Sequence, residues 1–267
     1  MFFEMIIAIS LAIIIYSIYR YHFLIPAPKG LQILLYHKIS DTNKNKLTVN
    51  VSDLERHFDY LKKNGYNSLT FSELSLLIKK KSKIPEKSII ITFDDGYENN
   101  LIFAAPLLKK FGLKAAVFLP LFCIGKTNEW DAGDNKILNF DQIKEMSATG
   151  IFEFGIHSFN HENIKTMTPA EFENDLKNCI SAFKNNFDDF IPVYAYPYGS
   201  LPEDEKTKNE FKRIMSENGI EFGLMIKSRR NPLPFRDRYE LKRINIRGDE
   251  SHFDFKIKLK KGRVKLI

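Results

Sequence analysis

Two adjacent carboxylates follow a strongly apolar, β-type run of this sequence. Residues Ser88–Phe93 read SIIITF, and Asp94, Asp95 and Gly96 come directly after them. An apolar run of this length that ends in a turn signal predicts a strand buried on both faces. In parallel α/β folds, groups at the carboxyl ends of such strands line the ligand site. Because neighbouring carboxylates repel each other unless a cation or a shared proton offsets the repulsion, the pair predicts a metal and a proton-transfer function.

Two histidines follow another predicted strand. His157 and His161 are four residues apart, directly after Phe152–Ile156. Side chains at this spacing can direct both rings to one point, although histidine pairs also occur as ordinary core or surface residues. If they share a sheet with Asp94 and Asp95, one carboxylate oxygen and two imidazoles form a typical ligand set for zinc or a related divalent ion.

A third polar turn lies at the end of a later predicted strand. Residues 196–199 read YPYG and follow the run that begins at Val193. A turn of proline, an aromatic residue and glycine can be purely structural. It can also hold a backbone N–H in the direction that an oxyanion needs, so both interpretations stay open at this point.

The elements that must position these residues alternate between strands and helices. About seven repeats of this alternation in 267 residues predict one parallel α/β domain, either a barrel or a wound sheet. Strands are predicted at Leu31–Tyr36, Ser88–Phe93, Ala115–Leu119, Phe152–Ile156, Val193–Tyr196, Phe222–Met225 and Leu241–Ile246. Helices are predicted from near Ser52 and at Glu73–Lys80, Leu101–Phe111, Phe140–Thr149, Pro169–Phe183 and Lys206–Asn218.

The N-terminus is apolar enough to enter a membrane. Met5–Tyr19 contains no charged residue, and about 18–20 residues span a bilayer core. A cleaved signal peptide would have a basic start and a small-residue cleavage site, and neither is found here. Residues 1–23 are therefore predicted to be a transmembrane anchor, and 24–30 a Pro-rich linker. Arg20 and Lys29 follow the segment while only Glu4 precedes it, which favours a cytoplasmic domain but leaves the side open.

The net charge of +7 is concentrated near the C-terminus, where the last twelve residues contain six lysines or arginines and no acid. This distribution argues against nucleic-acid binding, which needs a basic face across the fold. Residues 251–267 are predicted to be a basic tail, either an edge strand in which Phe255, Ile257 and Leu259 alternate with lysines or a segment resting on anionic lipid. Cys123 and Cys179 are predicted to be buried thiols.

Three motifs, in this order, resemble the polysaccharide deacetylase family. They are TFDDG at 92–96, HSxxH at 157–161 and YPYG at 196–199. This is the NodB-homology group, also called carbohydrate esterase family four. The resemblance covers about residues 31–250. It implies a distorted (β/α)7 barrel that uses a divalent metal to remove N-acetyl or O-acetyl groups from sugars.

The resemblance also implies a role for each polar residue of the motifs. Asp94 would be the general base that takes a proton from water, because a nearby carboxylate can accept it as the water attacks the acyl carbon. The ligands of the metal, Zn2+ with Co2+ or Ni2+ as alternatives, would be Asp95, His157 and His161. The backbone N–H of Tyr198 would stabilise the oxyanion.

Two positions depart from the family pattern. Many members carry an arginine two residues before the motif proline, where it steadies the base, but this sequence has Ala195 there. Many also have a late Leu-x-His motif that supplies the catalytic acid, which is missing here. Leu35-Tyr36-His37 resembles the branch of poly-N-acetylglucosamine deacetylases, which implies that His37 is the general acid. Arg243 is the candidate replacement for the missing arginine.

Together these features predict a membrane-anchored, metal-dependent N-deacetylase of glycan amino sugars. Trp130, the only tryptophan, and Tyr196 are candidate substrate-binding residues. An alternative substrate is a lipid-linked sugar, deacetylated or deformylated at the membrane surface, which would suit the anchor and the basic tail. A further alternative is a non-catalytic glycan-binding module, against which the intact base and ligands argue.

Overall fold

The computed structural model describes residues 2–21, 29–131, 133–187 and 190–262. Its helices are α1 (Phe2–Tyr21), α2 (Val51–Lys63), α3 (Phe71–Lys79), α4 (Ala105–Phe111), α5 (Phe140–Ala148), α6 (Pro169–Asn186), α7 (Glu205–Glu217) and α8 (His252–Lys261). Its strands are β1 (Gln32–Tyr36), β2 (Lys38–Ser40), β3 (Thr48–Asn50), β4 (Asn67–Ser68), β5 (Ser88–Phe93), β6 (Ala115–Leu119), β7 (Phe152–Ile156), β8 (Val193–Ala195), β9 (Phe222–Ile226) and β10 (Leu241–Asn245).

Seven strands form a closed parallel barrel. Their order is β1, β10, β9, β8, β7, β6 and β5, and β5 pairs with β1 to close the ring. The ring is irregular, since β7 and β8 share a single residue pair, Ile156 with Tyr194. Because all pairings in the ring are parallel, the carboxyl ends of the strands meet at one rim. The predicted NodB-like barrel is therefore confirmed.

Apolar strands and capped, amphipathic helices explain this architecture. Every residue of β5 and β6 is buried, as expected for strands covered on both faces. Helix α2 turns Leu54, Phe58 and Leu61 toward the barrel at helical spacing. Capping boxes at Asn139 and Thr168 satisfy backbone N–H groups at the starts of α5 and α6. Local sequence and packing thus specify the same element boundaries.

The predicted elements agree with the structure except at short or irregular segments. Strands β5, β6 and β7 have the predicted bounds. The helix predicted over Leu101–Phe111 is instead a π-turn at Asn100–Ala104 followed by α4. Strands β2, β3 and β4 were not predicted, because two or three residues are too few to show a period.

The C-terminal segment is a packed helix, so the predicted edge strand at Phe255, Ile257 and Leu259 is wrong. These three side chains are buried in α8, where Phe255 and Leu259 are four residues apart and therefore lie on the same face. The buried Lys258 ammonium donates to the Asn245 carbonyl oxygen at 2.6 Å. Residues 252–261 therefore belong to the domain rather than to a tail on lipid, while 263–267 lie outside the described residues.

Helix α1 is apolar and uncovered by the domain. Residues Phe3–Tyr21 have a mean hydropathy of 1.7 and none of them is buried. By length and composition this helix could cross a membrane, although a signal sequence meets the same criterion. Its end contacts α8 through an ion pair of 3.1 Å between Arg20 and Asp254. The end of the predicted anchor and most of the linker predicted at 24–30 lie outside the described residues.

Candidate active site

The barrel brings the three predicted motifs together at its carboxyl rim. Asp94 and Asp95 follow β5, His157 follows β7, and Tyr198 lies in the turn after β8. The N–H of His157 donates to the carbonyl of Leu119 at the end of β6, which joins this residue to the rim at 3.0 Å. Four strands that are far apart in sequence therefore build one site.

Asp95, His157 and His161 surround a single point. Their potential ligand atoms all lie within 4.8 Å of one another. Asp95 Oδ1 is 3.2 Å from His157 Nε2 and 3.1 Å from His161 Nε2. His157 Nδ1 lies 2.8 Å from the carbonyl oxygen of Ala195, so Nδ1 donates its hydrogen there and Nε2 turns a lone pair to the site.

This cluster fits a divalent metal ion. Asp95 Oδ1 is buried and has no hydrogen-bond partner among the described residues. Buried polar atoms are usually satisfied, and a carboxylate oxygen close to an imidazole lone pair is repelled unless positive charge lies between them. One carboxylate oxygen with two imidazole nitrogens is also a donor set that zinc and related ions favour.

A buried arginine holds Asp94. Arg243 on β10 donates from Nη1 to Oδ1 at 2.5 Å and from Nη2 to Oδ2 at 2.7 Å. Both side chains are almost fully buried, and such paired, parallel bonds fix the carboxylate's plane as well as its charge. The contact predicted for Arg243 is therefore present, and this arginine reaches Asp94 from a strand other than the one that carries Ala195.

Burial and neighbouring charges shift the pKa values at the site in opposite directions. Burial raises the pKa of Asp94, but Arg243 outweighs it and leaves that pKa below its usual value. Burial also opposes ionisation of Asp95, yet the facing imidazoles hold its pKa well below the usual range. For His157, the two carboxylates outweigh burial and raise the pKa. For His37, burial dominates and lowers the pKa despite the same carboxylates.

His37 lies beside this cluster. It follows β1 and is largely buried, and its carbonyl accepts a hydrogen bond of 2.9 Å from Asn100 Nδ2. Its Nδ1 has no hydrogen-bond partner in the part of the chain that the structure describes. The charges of Asp94 and Asp95 act on the ring. His37 is thus a buried imidazole beside the site, and its role as general acid stays a prediction.

The backbone is strained where it carries these residues. Left-handed φ angles at non-glycine residues cost about 1–2 kcal/mol each and are tolerated where surrounding contacts enforce them. Four such angles lie in the site segments, at Asp95 (72°), Ser158 (60°), His161 (59°) and Tyr198 (57°). The rim segments are therefore held in conformations that isolated peptides would rarely adopt.

One residue that holds the histidine segment in place, Asp175, was not predicted from the sequence. Asp175 on α6 accepts hydrogen bonds from the Phe159 N–H at 2.9 Å and from the Tyr194 hydroxyl at 3.1 Å. Burial raises the pKa of this carboxyl although both hydrogen bonds oppose the change. Asp175 lies in the middle of a helix and belongs to no motif. The only signal in the sequence is that it is the one acidic residue on the otherwise apolar, buried face of α6.

The two aromatic residues predicted to bind substrate have different positions. Tyr196 is fully buried, and its hydroxyl donates to the carbonyl of Tyr239 at 2.8 Å. The substrate-binding prediction for Tyr196 is therefore wrong, because its ring packs in the core. Trp130 stacks on His161 with ring centres 4.2 Å apart. The half-exposed Tyr198 ring lies 5.1 Å from the same imidazole. A sugar contact by Trp130 stays a prediction.

The fold and the rim site define a NodB-like barrel. The polysaccharide deacetylase family model matches residues 81–223, more than half of the chain, and the chain belongs to this family. The matched residues include all three motifs. The family predicted from the motifs is therefore confirmed.

Individual relatives agree with this family. The chain is 36% identical over 177 residues to the polysaccharide deacetylase homologue YxkH of Bacillus subtilis (strain 168). The aligned residues make up 66% of this chain and 60% of YxkH. It is 29% identical over 210 residues to the poly-beta-1,6-N-acetyl-D-glucosamine N-deacetylase of Staphylococcus epidermidis, covering 76% and 69% of the two chains.

Two solved structures have the same fold. A polysaccharide deacetylase from Bacillus cereus superimposes with a TM-score of 0.70 at 25% identity, over 87% of this chain and 69% of that one. IcaB from Ammonifex degensii superimposes with a TM-score of 0.73 at 19% identity, over 89% and 99% of the chains, which supports the fold alone.

Proposed function

We propose that this protein is a metal-dependent N-deacetylase of acetylated amino sugars in a glycan. The observation that carries the proposal is the cluster in which Asp95 Oδ1 lies 3.1–3.2 Å from two imidazole nitrogens, beside a second carboxylate held by an arginine. The name of the Staphylococcus epidermidis relative supports an N-acetylglucosamine polymer as the substrate class.

The metal ligands in this proposal are Asp95, His157 and His161. A divalent ion held by them would supply Lewis-acid chemistry, which activates water and polarises an acyl oxygen. Zinc is the first candidate because of the mixed nitrogen and oxygen donors, and cobalt and nickel fit the same set.

The protein's own groups would move the protons. Asp94, ionised and oriented by Arg243, takes a proton from the attacking water. His37, whose pKa burial lowers, would give a proton to the leaving amine and be reprotonated with the proton that Asp94 took from water. A C–O bond to the water oxygen forms, the amide C–N bond breaks, and acetic acid and a free amine leave. The backbone N–H of Tyr198, in a turn with left-handed φ, would stabilise the oxyanion.

Replacement of Asp94 by asparagine tests this proposal. The full chain in detergent is assayed for acetate release from β-1,6-linked N-acetylglucosamine oligomers with added Zn2+, Co2+ or Ni2+. We expect Asp94→Asn to lower kcat by about 100- to 10,000-fold, as loss of a general base does, and to retain the metal. Asp141→Asn, which changes an exposed acid in the first turn of α5, is the matched control.

Two results would contradict the proposal. The first is a wild-type chain that neither binds a divalent ion nor releases acetate with any of the three metals. The second is an Asp94→Asn chain with wild-type turnover, which would show that Asp94 is not the general base, whereas the first result would leave glycan binding as the better interpretation. A lipid-linked substrate remains the alternative that α1 favours, and a topology reporter on the C-terminus would locate the domain relative to the membrane.

A further inference from the structure

The two histidines of the cluster are held in different ways. Histidines that bind metals usually donate the second ring nitrogen to an oxygen, which fixes the ring's orientation. His157 does so through its Nδ1 and the Ala195 carbonyl. The Nδ1 of His161 is buried but has no hydrogen-bond partner within the described ranges. Something other than a hydrogen bond must therefore orient the His161 ring.

Trp130 covers the face of the His161 ring. The two ring planes differ by only 17° at 4.2 Å between centres, which is a stacked contact. The edge of the ring is contacted by Tyr198 at 69°. A planar indole against the imidazole restricts its rotation, so the stack can replace the missing hydrogen bond. The orientation of His161 then depends on where the loop holds Trp130.

Asp131, the next residue, ties this loop to the barrel. Its Oδ2 accepts from Lys38 Nζ at 2.9 Å and from the Tyr97 hydroxyl at 3.0 Å. The Lys38 side chain is only 8% exposed and that of Asp131 15%, so the charges pair away from bulk water. Asn128 Nδ2 also donates to the Asp131 carbonyl at 3.1 Å.

The partners of Asp131 come from the segments that carry site residues. Lys38 directly follows His37, and Tyr97 lies two residues after Asp95. The loop is also joined to the segment after β5 by a β-bridge between Tyr97 and Ile137 and by the Glu98 N–H, which donates to the Lys136 carbonyl at 2.8 Å, while the bridge between Thr127 and Lys136 lies within the loop. A carboxylate at 131 therefore connects the tryptophan loop directly to the strands that supply the candidate acid and a metal ligand.

We propose that Asp131 is a positioning residue: it holds Trp130 against His161 and thereby orients this imidazole toward the metal site. Asp131 does not touch the ligand atoms, so its effect on the metal passes through Trp130. The metal affinity of the site is then set in part by the loop at 127–137. This inference rests on the proposed function only for the identity of the bound ion.

Asp131→Asn tests the proposal through a readout independent of activity. Trp130 is the only tryptophan, so tryptophan emission of the full chain, excited selectively over the tyrosines, reports its surroundings alone. We expect the emission of metal-free Asp131→Asn to shift to longer wavelength, because the indole leaves the stack for water. We expect Co2+ affinity, measured by titration calorimetry, to fall about 10- to 100-fold, as for other residues that support metal ligands.

A double-mutant cycle separates positioning from general destabilisation. Trp130→Ala should weaken Co2+ binding about as much as Asp131→Asn, and the double variant should bind no more weakly than Trp130→Ala. Additive losses would overturn the proposal, because Asp131 would then act independently of Trp130. Asp134→Asn removes an exposed acid from the same loop and should leave both the emission and the Co2+ affinity unchanged.

A milder variant covers the case in which Asp131→Asn fails to fold. Lys38→Met removes the ion pair to Asp131 and keeps the apolar stem, and it should shift the emission in the same direction by a smaller amount. An unchanged emission in both variants overturns the role of Asp131. A wild-type chain that binds no divalent ion overturns the proposed function instead, so the two failures are distinguishable.

Discussion

The ion pair between Arg243 and Asp94 explains how one of two adjacent, buried carboxylates can stay ionised. Burial of a single charge is costly, and a second negative charge beside it adds repulsion. The guanidinium offsets both effects through two hydrogen bonds to Asp94, which leaves the neighbouring Asp95 to face the imidazoles. The two carboxylates therefore have separate partners.

This pairing predicts a large stability loss when only the arginine is removed. Arg243→Met should lower the free energy of unfolding by about 3–5 kcal/mol, because Asp94 is left as an unpaired buried charge. The double variant Asp94→Asn/Arg243→Met should be more stable than Arg243→Met alone. Urea denaturation of the full chain measures both differences.

A matched arginine provides the control for this prediction. Arg213 is exposed on α7 and pairs with Glu210 and Glu217, so Arg213→Met is expected to change the stability little. Equal losses for the two arginine variants would contradict a special role for the buried pair. A double variant as unstable as the sum of the single ones would do the same.

At the scale of elements, β8 and the turn at Pro197–Gly199 depend on close packing against β9. Tyr196 directs its hydroxyl to the Tyr239 carbonyl across the position of Gly223. A Cβ on Gly223 would lie 2.7 Å from the tyrosine ring carbon Cζ and 2.8 Å from that carbonyl. The absent side chain at Gly223 therefore makes room for the tyrosine that precedes the Pro197–Gly199 turn.

Gly223→Ala is accordingly expected to destabilise the barrel. Overpacking of this kind costs about 1–3 kcal/mol, because the tyrosine must leave its position. Adding Tyr196→Phe removes the hydroxyl that is closest to the new methyl group, so Gly223→Ala/Tyr196→Phe should recover part of the loss. Urea denaturation of the single and double variants checks this, and a double variant less stable than both single ones would contradict it.

At the scale of the whole molecule, α1 and the barrel are separate in their packing. The domain core is built from strands and from helices that cover them, while the apolar side chains of α1 contact little of it. Exposed apolar surface of this extent requires another apolar environment. We therefore propose a membrane as the surroundings of α1, with the Arg20–Asp254 contact at its boundary with the domain.

Deletion of residues 1–28 tests this separation. We expect the full chain to remain in the membrane fraction after a high-salt wash and the shortened chain to be soluble. The shortened chain should keep its Co2+ affinity and lose at most about 1 kcal/mol of stability, from the Arg20–Asp254 pair. A soluble full chain, or a shortened chain that does not fold, would contradict the proposed arrangement.

The sequence alone determined the strands of the barrel and the motifs at their ends. A strand buried on both faces requires consecutive apolar residues, so Ser88–Phe93, Ala115–Leu119 and Phe152–Ile156 could be predicted to the residue. The polar residues that interrupt this pattern at the rim, among them Asp95 and His157, could be predicted as site residues for the same reason.

Only the tertiary structure decided which distant residues meet. Arg243 contacts Asp94 across 149 positions because β10, β1 and β5 are neighbours in the closed ring, and no local pattern encodes that order. The alternation around Phe255 suited a strand, yet packing against α2 favours a helix there. Likewise, Lys38 pairs with Asp131, and the neighbouring Trp130 stacks on His161, only once three separate segments are folded together. Side-chain contacts depend on distance in space rather than along the chain.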